Sequence, residues 1–313
     1  MERNIRMVDR HTYATTDEFR DYLAGTTYAS GWTADGVTIR RILEASSRRI
    51  DDYCGGGMFG ASTQTRVYDI GSGSLRNSPQ YTTPTGWGGD ISLSNTLSAV
   101  IPLDGWLIET TSVTSYKQTE RTESETLTEG YANDYLLEPY NFNPKTILKL
   151  NEDTTKSFYG GQKTLEIVGT WGYQNEHSVV TTSGAITTTT ETDFGVNGAS
   201  GLSPAQTILI GSEQMYITSI SSNTLTVERG VNGTTASTHL SSSDVSIYIY
   251  PELVVQACLD IAKVTYRDRD LGTTLSIGGG DVAPITVVQN EVRNILKLVD
   301  KYRVASTSNG VIF

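Results

Sequence analysis

The spacing of apolar residues changes period twice along this chain, and that change limits the folds open to it. Near both ends, apolar side chains recur at i, i+3 and i+4. Between them, over roughly residues 62–250, they alternate or fall in short runs broken by Gly, Pro, Asn and Asp. Helix-forming ends and a long β-forming middle must therefore share one chain of 313 residues, enough for several small cores.

The first helical signal is Thr15-Thr16-Asp17-Glu18, a capping-box pattern with Thr15 as N-cap, ahead of Phe19, Tyr22 and Leu23. A second helix is predicted from near Asp35 to about Tyr53. Its apolar face carries Ile39, Ile42, Leu43, Ile50 and Tyr53. Its other face holds Arg40, Arg41, Glu44, Arg48, Arg49 and Asp52, with Glu44–Arg48 and Arg48–Asp52 spaced as a solvated ladder of ion pairs. Helical spacing returns at Pro251, with Val254, Ala257, Cys258, Ile261 and Ala262, and again at Pro284, with Val288, Val292, Ile295, Val299 and Tyr302. Helices that cannot bury their faces alone are expected to pack together.

In the middle, strands are predicted at Thr65–Ile70, Trp106–Tyr116, Thr146–Leu150 and Thr164–Thr170. A second group follows at Thr207–Ile210, Gln214–Ile220, Thr224–Arg229 and Val245–Tyr250, with Ser221-Ser222-Asn223 as a hairpin turn. Residues 181–192 are low in complexity and read as a linker or an exposed strand pair. Residues 174–250 hold six acidic groups against Arg229 alone, a net charge of −5.

The expected fold class is α+β: a helical bundle from N- and C-terminal helices with two β-rich insertions. Its parts are N-terminal helices (1–60), a β-rich domain (61–174), an acidic β module (175–250), C-terminal helices (251–304) and a tail (305–313). On this reading, excising about Thr181–Ser246 leaves the helices folded.

The residues point away from an enzyme. His11, His177 and His239 are scattered, with no HxxxH or HExxH spacing. Gly55-Gly56-Gly57 and Gly278-Gly279-Gly280 lack the Lys-Ser/Thr of a phosphate loop. Cys54 and Cys258 read as buried free thiols. Glu120, Glu123, Glu125 and Glu129 crowd one polar segment, and Glu213 and Glu228 could face each other across a hairpin, but solvated or structural carboxylates are the plainer reading. No catalytic, metal or cofactor residue is assigned, and no segment has the length and apolarity to span a membrane.

The overall charge of −11 disfavours a tight grip on nucleic acid, though it suits a wall past which DNA slides. Arg293, Lys297 and Lys301 recur at i, i+4 and i+8 on the last helix, a solvated face or a charge contact with a neighbouring subunit or passing DNA. The apolar tip Val311-Ile312-Phe313, after Ser306-Thr307-Ser308-Asn309-Gly310, reads either as a disordered terminus or as a docking segment that adds to a partner's sheet.

Two stretches resemble known phage sequences. The first is Leu127-Thr128-Glu129-Gly130, then Asp134-Tyr135, Leu137, Pro139, Asn141 and Pro144, leading to Gly169-Thr170-Trp171-Gly172-Tyr173. It resembles the β part of the head–tail connector (adaptor, or head-completion) family of tailed bacteriophages. There a Gly-x-Trp-Gly-Tyr-like signature runs straight into a Pro-initiated helix, here Pro251–Arg269. In this chain roughly eighty residues intervene. They contain the second stretch, Ile210–Ile217 through Leu225–Ala236, which is similar to a small β module of phage virion proteins.

The resemblance implies a virion structural protein, made in the host cytoplasm and placed in the neck between capsid and tail. It implies a homo-oligomeric ring of twelve subunits beneath the portal protein, extending the DNA channel with transient contact to packaged DNA. The next tail component (stopper, terminator or tail tube protein) would attach below. Ser306, Asn309, Gly310, Val311, Ile312 and Phe313 would dock on the portal. No cofactor and no membrane are implied. The alternatives are a receptor- or carbohydrate-binding virion protein, with Trp87 and Trp106 stacking on sugar, and a cell-wall hydrolase.

Overall fold

The computed structural model describes residues 10–24, 36–55, 59–70, 100–117, 121–173, 176–270 and 284–304. Two antiparallel sheets of six strands each dominate these residues. The helices are α1 (Thr16–Leu23), α2 (Gly36–Cys54), α3 (Glu252–Asp270) and α4 (Pro284–Leu296), followed by a 3-10 turn at Lys297–Tyr302. This corrects the expected helical bundle with β insertions: the chain is mostly β. The reason lies in the cores. Each sheet encloses its own cluster of large apolar side chains, so the β segments are self-sufficient and not appendages of a helical core. The described residues fall into two compact units. One runs to Cys54 and resumes from Glu176 to Arg303; the other runs from Gly55 to Tyr173 and includes Val304.

The second unit is a sheet of β1 (Ser62–Ile70), β2 (Val100–Tyr116), β3 (Ser124–Leu127), β4 (Tyr135–Glu138), β5 (Lys145–Leu150) and β6 (Gly161–Trp171). The order is β1-β6-β2-β5-β4, with β3 also on β2. Long β2 serves two partners on one side: its start pairs with β5 (Val100↔Lys149) and its end with β3 (Val113↔Leu127). Its other side bulges along β6, and there Gly169 is needed, because a Cβ would lie 2.4 Å from the Glu109 carbonyl oxygen.

The Gly-x-Trp-Gly-Tyr signature is thus explained by packing. Trp171 is buried under the Arg66 guanidinium, 4.1 Å from its ring. Gly172 has φ +151 and abuts the Ala61 backbone, where a Cβ would sit 2.7 Å from Cα. Tyr173 meets Phe59 and Trp106 at ring distances of 5.5 Å each.

The sheet of the first unit closes on itself. Strands β7 (Glu176–Thr181), β8 (Asp193–Gly195), β9 (Thr207–Ile210), β10 (Glu213–Ser221), β11 (Thr224–Glu228) and β12 (Asp244–Tyr248) run in the order β7-β12-β9-β10-β11-β8. The two end strands then meet through a Thr182↔Val196 bridge, with Ser183 N–H donating to Gly195 O and Asn197 N–H to Thr181 O, each 2.9 Å. The result is a small barrel around Ile186, Phe194, Ile208, Met215, Ile217, Leu225 and Val245. The β10–β11 hairpin turns at Ser222-Asn223, with Ser222 at φ 55.

Residues 181–192 are not a linker. Thr182 is fully buried and its hydroxyl donates to Leu240 O, while fully buried Ile186 exchanges two backbone bonds with His239.

Helices and barrel share a seam laid by the extended segment Arg10–Thr15. Arg10 bridges Glu44 of α2 (2.7 Å) and Glu228 of β11 (2.9 Å), and its N–H donates to Asn232. The Thr12 hydroxyl donates to Ala205 O, the Thr207 hydroxyl to Arg10 O, and Thr16 N–H to Pro204 O. Arg40 of α2 reaches Thr218 O directly. Thr15 caps α1 in a complete capping box with Glu18. Among the described residues the charged face of α2 pairs otherwise than as a ladder: Glu44 with Arg10, and Arg48 with Asp51.

These bonds reverse the expectation for the module. Excising Thr181–Ser246 removes the carbonyls and carboxylate that the N-terminal segment uses. The product is expected to lose helical circular dichroism together with its barrel, or to be insoluble. A soluble, cooperatively melting helical remnant would show that the seam is dispensable.

Candidate functional site

The deepest polar cluster surrounds Glu213, at the start of β10. The carboxylate is fully buried and Arg229 nearly so, with Arg229 Nε 2.6 Å and Nη2 2.8 Å away. The N–H groups of Gly230 and Ser237 donate to the same carboxylate at 3.1 and 2.9 Å, and His239 Nε2 lies 2.8 Å from it. Arg229 also donates to the carbonyls of Thr188, Glu191 and Ser237. Burial pushes the Glu213 carboxyl up, but the donors from Arg229, Ser237 and His239, with the Arg229 charge, hold it below the usual carboxylate range.

This constellation contains Ser, His and Glu, yet its geometry is not that of a nucleophilic triad. Ser237 Oγ and Glu213 Oε2 both approach the same ring nitrogen, His239 Nε2, at 3.4 and 2.8 Å. A relay needs the two partners on opposite nitrogens. The cluster instead ties the loops before β8 and after β11 to the start of β10, which is how the barrel's irregular end is closed.

The second buried cluster lies on the seam. Fully buried His11 contacts the Tyr250 hydroxyl at 3.2 Å and meets Tyr248 edge-on at 5.2 Å. Arg48 donates to His11 O at 2.6 Å, and the Tyr13 hydroxyl bonds Asp51. Burial, with Arg48 nearby, pushes the imidazole down to about 3. His11 is thus neutral across the physiological range.

The remaining sequence candidates are kept apart. His177 is exposed on β7. Glu228 stands opposite Tyr216 and pairs with Arg10, so it does not face Glu213. Glu123 pairs with Lys117 and Glu129 accepts from Thr110, while Glu120 lies outside the described residues. Trp106 is buried and cannot stack on a sugar; Trp87 lies outside the described residues. Among the described residues no three of His, Cys, Asp and Glu come together at metal-binding spacing. Cys54 and Cys258 are buried free thiols, and burial pushes both up to about 12.

Arg293, Lys297 and Lys301 are all exposed, and no ion pair to them occurs among the described residues. They do not form one straight row, because the chain tightens into a 3-10 turn at Lys297. Four α-helical steps leave Arg293 and Lys297 about 40° apart. Four 3-10 steps turn Lys301 about 120° further. Lys301 rests over the Tyr302 ring at 4.7 Å, and Arg303 adds a cation over Tyr53 at 5.2 Å. The arrangement is a fan of cations. The docking residues Ser306, Asn309, Gly310, Val311, Ile312 and Phe313 lie outside the described residues.

One exposed feature escaped the sequence reading. Tyr131 is 92% exposed, Phe142 72% and Tyr140 57%, on the loops at either end of β4. The signal was present in Pro139-Tyr140-Asn141-Phe142-Asn143-Pro144, where aromatic residues alternate with amides between two prolines.

The two buried clusters predict an acid loss of stability with two contributions. A neutral His11 with its folded value near 3, against an ordinary 6.5, costs stability as pH falls through that interval. Glu213, held below its ordinary 4.5, contributes stability that is complete above that value and lost as pH falls through its lower folded value. Melting temperature recorded from pH 7 to 3 should lose about one proton of slope between 6.5 and 4.5 in His11→Phe. Below 4.5 both groups contribute, and the slope that Glu213 adds there should be absent in Glu213→Gln. Removing the cation alone, Arg229→Ala, should cost about 3–5 kcal/mol at neutral pH, the usual result of orphaning a buried charge.

No family model, no curated protein and no solved structure matches this chain.

Proposed function

We propose that this chain is a structural subunit of the tailed-phage neck, a head–tail connector that forms a ring beneath the portal and takes part in no chemistry of its own. The observation that carries the reading is the order of motifs: Gly169–Tyr173, the small β module, then the Pro251 helix. Packing supports it, because the signature residues hold positions few substitutes could fill, as at Gly169 and Gly172. The polar clusters support it as well. The buried charges of Glu213 and Arg229 are spent on internal bonds, as suits a scaffold.

The cationic fan of Arg293, Lys297, Lys301 and Arg303 is the surface suited to a polyanion. Exposed, mutually spread cations on a chain of charge −11 give weak, salt-sensitive contact, which lets DNA pass without arrest. The tail, from Ser306 to Phe313, is the segment proposed to meet the portal.

Mass measurement and negative-stain imaging of the purified protein, alone and with portal, test the reading. A closed ring, or a ring that forms on portal, is the expected result. A persistent monomer or trimer that binds glycans and ignores portal would overturn it in favour of a receptor-binding protein. Deleting Ser306–Phe313 is expected to abolish portal association while leaving the melting temperature unchanged. Normal head–tail joining by the truncated chain would remove the tail from the mechanism.

A further inference from the structure

The barrel closes where its two end strands meet, and one side chain spans that join. Asn197, just past β8, donates its amide nitrogen to the Thr181 hydroxyl at 2.9 Å and to the Thr182 carbonyl oxygen at 3.3 Å. Its backbone N–H donates to Thr181 O at 2.9 Å. The side chain thus doubles the bond that the backbone makes beside it, on the strand at the other end of the sheet.

Asn197 is followed by glycine. Asparagine is a chemically labile side chain, most of all in an Asn-Gly pair. There the glycine nitrogen can attack the asparagine's own side-chain carbonyl carbon, because the second residue has no Cβ to obstruct the approach. Gly198 suits that step. It has φ +111, and a Cβ built on it would meet no atom within 4 Å, so the backbone has room to turn. Asn197 itself is exposed, which gives water access to the carbonyl carbon.

A second pair, Asn232-Gly233, supplies the contrast within the same unit. Asn232 stands in the left-handed region at φ 56 and is gripped at both ends of its amide. The oxygen accepts from Arg10 N–H at 2.5 Å, and the nitrogen donates to Gln214 at 2.8 Å. Ring closure at Asn232 would have to break the anchor of the seam. At Asn197 only the nitrogen, the group that leaves, is bonded among the described residues.

We propose that Asn197 is a site of covalent self-modification, which deamidates in the folded protein and so loosens the barrel's closure. The Gly198 nitrogen forms a bond to Asn197 Cγ and gives up its proton to solvent. The Cγ–Nδ2 bond breaks, and the nitrogen leaves as ammonia with a proton taken from water. A second water opens the cyclic imide at either carbonyl, to aspartate or isoaspartate. The sum is amide plus water to acid plus ammonia, with nothing oxidised or reduced. A carboxylate only accepts, so the donor to Thr182 O becomes an acceptor facing an acceptor. In isoaspartate the main chain also gains a methylene, which shifts the N–H that bonds Thr181 O. Either product adds a negative charge to a stretch, 174–250, that already carries −5. The inference goes beyond the connector reading and does not depend on it.

The test ages the purified full chain in mildly alkaline buffer and then cuts it after glutamate for mass spectrometry. Cleavage at Glu191 and Glu213 isolates Asn197 in residues 192–213, which hold no other asparagine, and cleavage at Glu228 and Glu252 does the same for Asn232. The 192–213 peptide is expected to gain the mass of amide-to-acid exchange and to split into aspartate and isoaspartate forms, while the 229–252 peptide keeps its amide. Equal conversion of the two in the folded chain, or conversion at Asn197 only after unfolding in urea, would overturn the assignment. The melting temperature should fall as the converted fraction rises. Asn197→Asp, which carries the product carboxylate from the start, should melt below wild type. Asn197→Gln, whose longer side chain cyclises poorly, should age with no mass gain in that peptide and no further fall in its melting temperature. Should Asn197→Asp fail to fold, the aged wild-type chain still reads the loss. Full conversion with an unchanged melting temperature would sink the link to the barrel's closure.

Discussion

A β-strand at the end of a sheet has backbone donors and acceptors that something must meet, and this requirement organises both units of the chain. In the first, the answer is closure. The β7 and β8 ends meet at Thr182 and Val196, and no open edge is left along the barrel where they touch. In the second unit the sheet keeps its ends, and β1 is left with one partner among the described residues. The same constraint explains the placing of the costly charges. The Glu213–Arg229 pair sits where the barrel's chain path is least regular, so that its hydrogen bonds replace the ladder that strands would otherwise supply.

The seam shows how a helix with an ordinary amphipathic pattern can be misread. The apolar face of α2 was legible from spacing, and Ile39, Ile42, Leu43 and Ile50 are buried as that spacing requires. The charged face was legible as a face but not as a contact. Arg40, Glu44 and Arg48 looked like a solvated ladder because their partners (Arg10, Thr218 and the carbonyl of His11) are distant in sequence or belong to backbone. Periodicity reports which side chains lie together on an element. It carries no information about which remote element arrives to cover them.

Strand positions were read well where β-branched residues alternate between turn signals, as at Thr207–Ile210, and the Thr15 capping box is local enough to be explicit in four residues. Strands β3, β4, β7 and β8 went unread because they are short or rich in Ser, Thr and Glu and are held by their neighbours. The balance between helix and sheet was misjudged for a related reason. Core size depends on which apolar residues converge, and Ile186 or Phe194, isolated in Thr-rich sequence, give no sign of belonging to a buried cluster. The candidate surface divided likewise. The cations were found by spacing but fan out through the 3-10 turn, whereas the exposed aromatics near β4 were passed over between Pro139, Asn141 and Pro144, which were read only as part of a motif.

The barrel's first and last strands, β7 and β12, are paired with each other, with Glu176 opposite Tyr248. The chain therefore enters and leaves the module at neighbouring points. Such a doorway lets genetic exchange replace the whole module without moving the points where the flanking chain joins it. What restrains the exchange is the seam. An incoming module would have to bring a carboxylate for Arg10, and carbonyls where Pro204, Ala205 and Thr218 now stand. Modules that share those few groups could trade places among related chains, and their outer surfaces would be free to diverge.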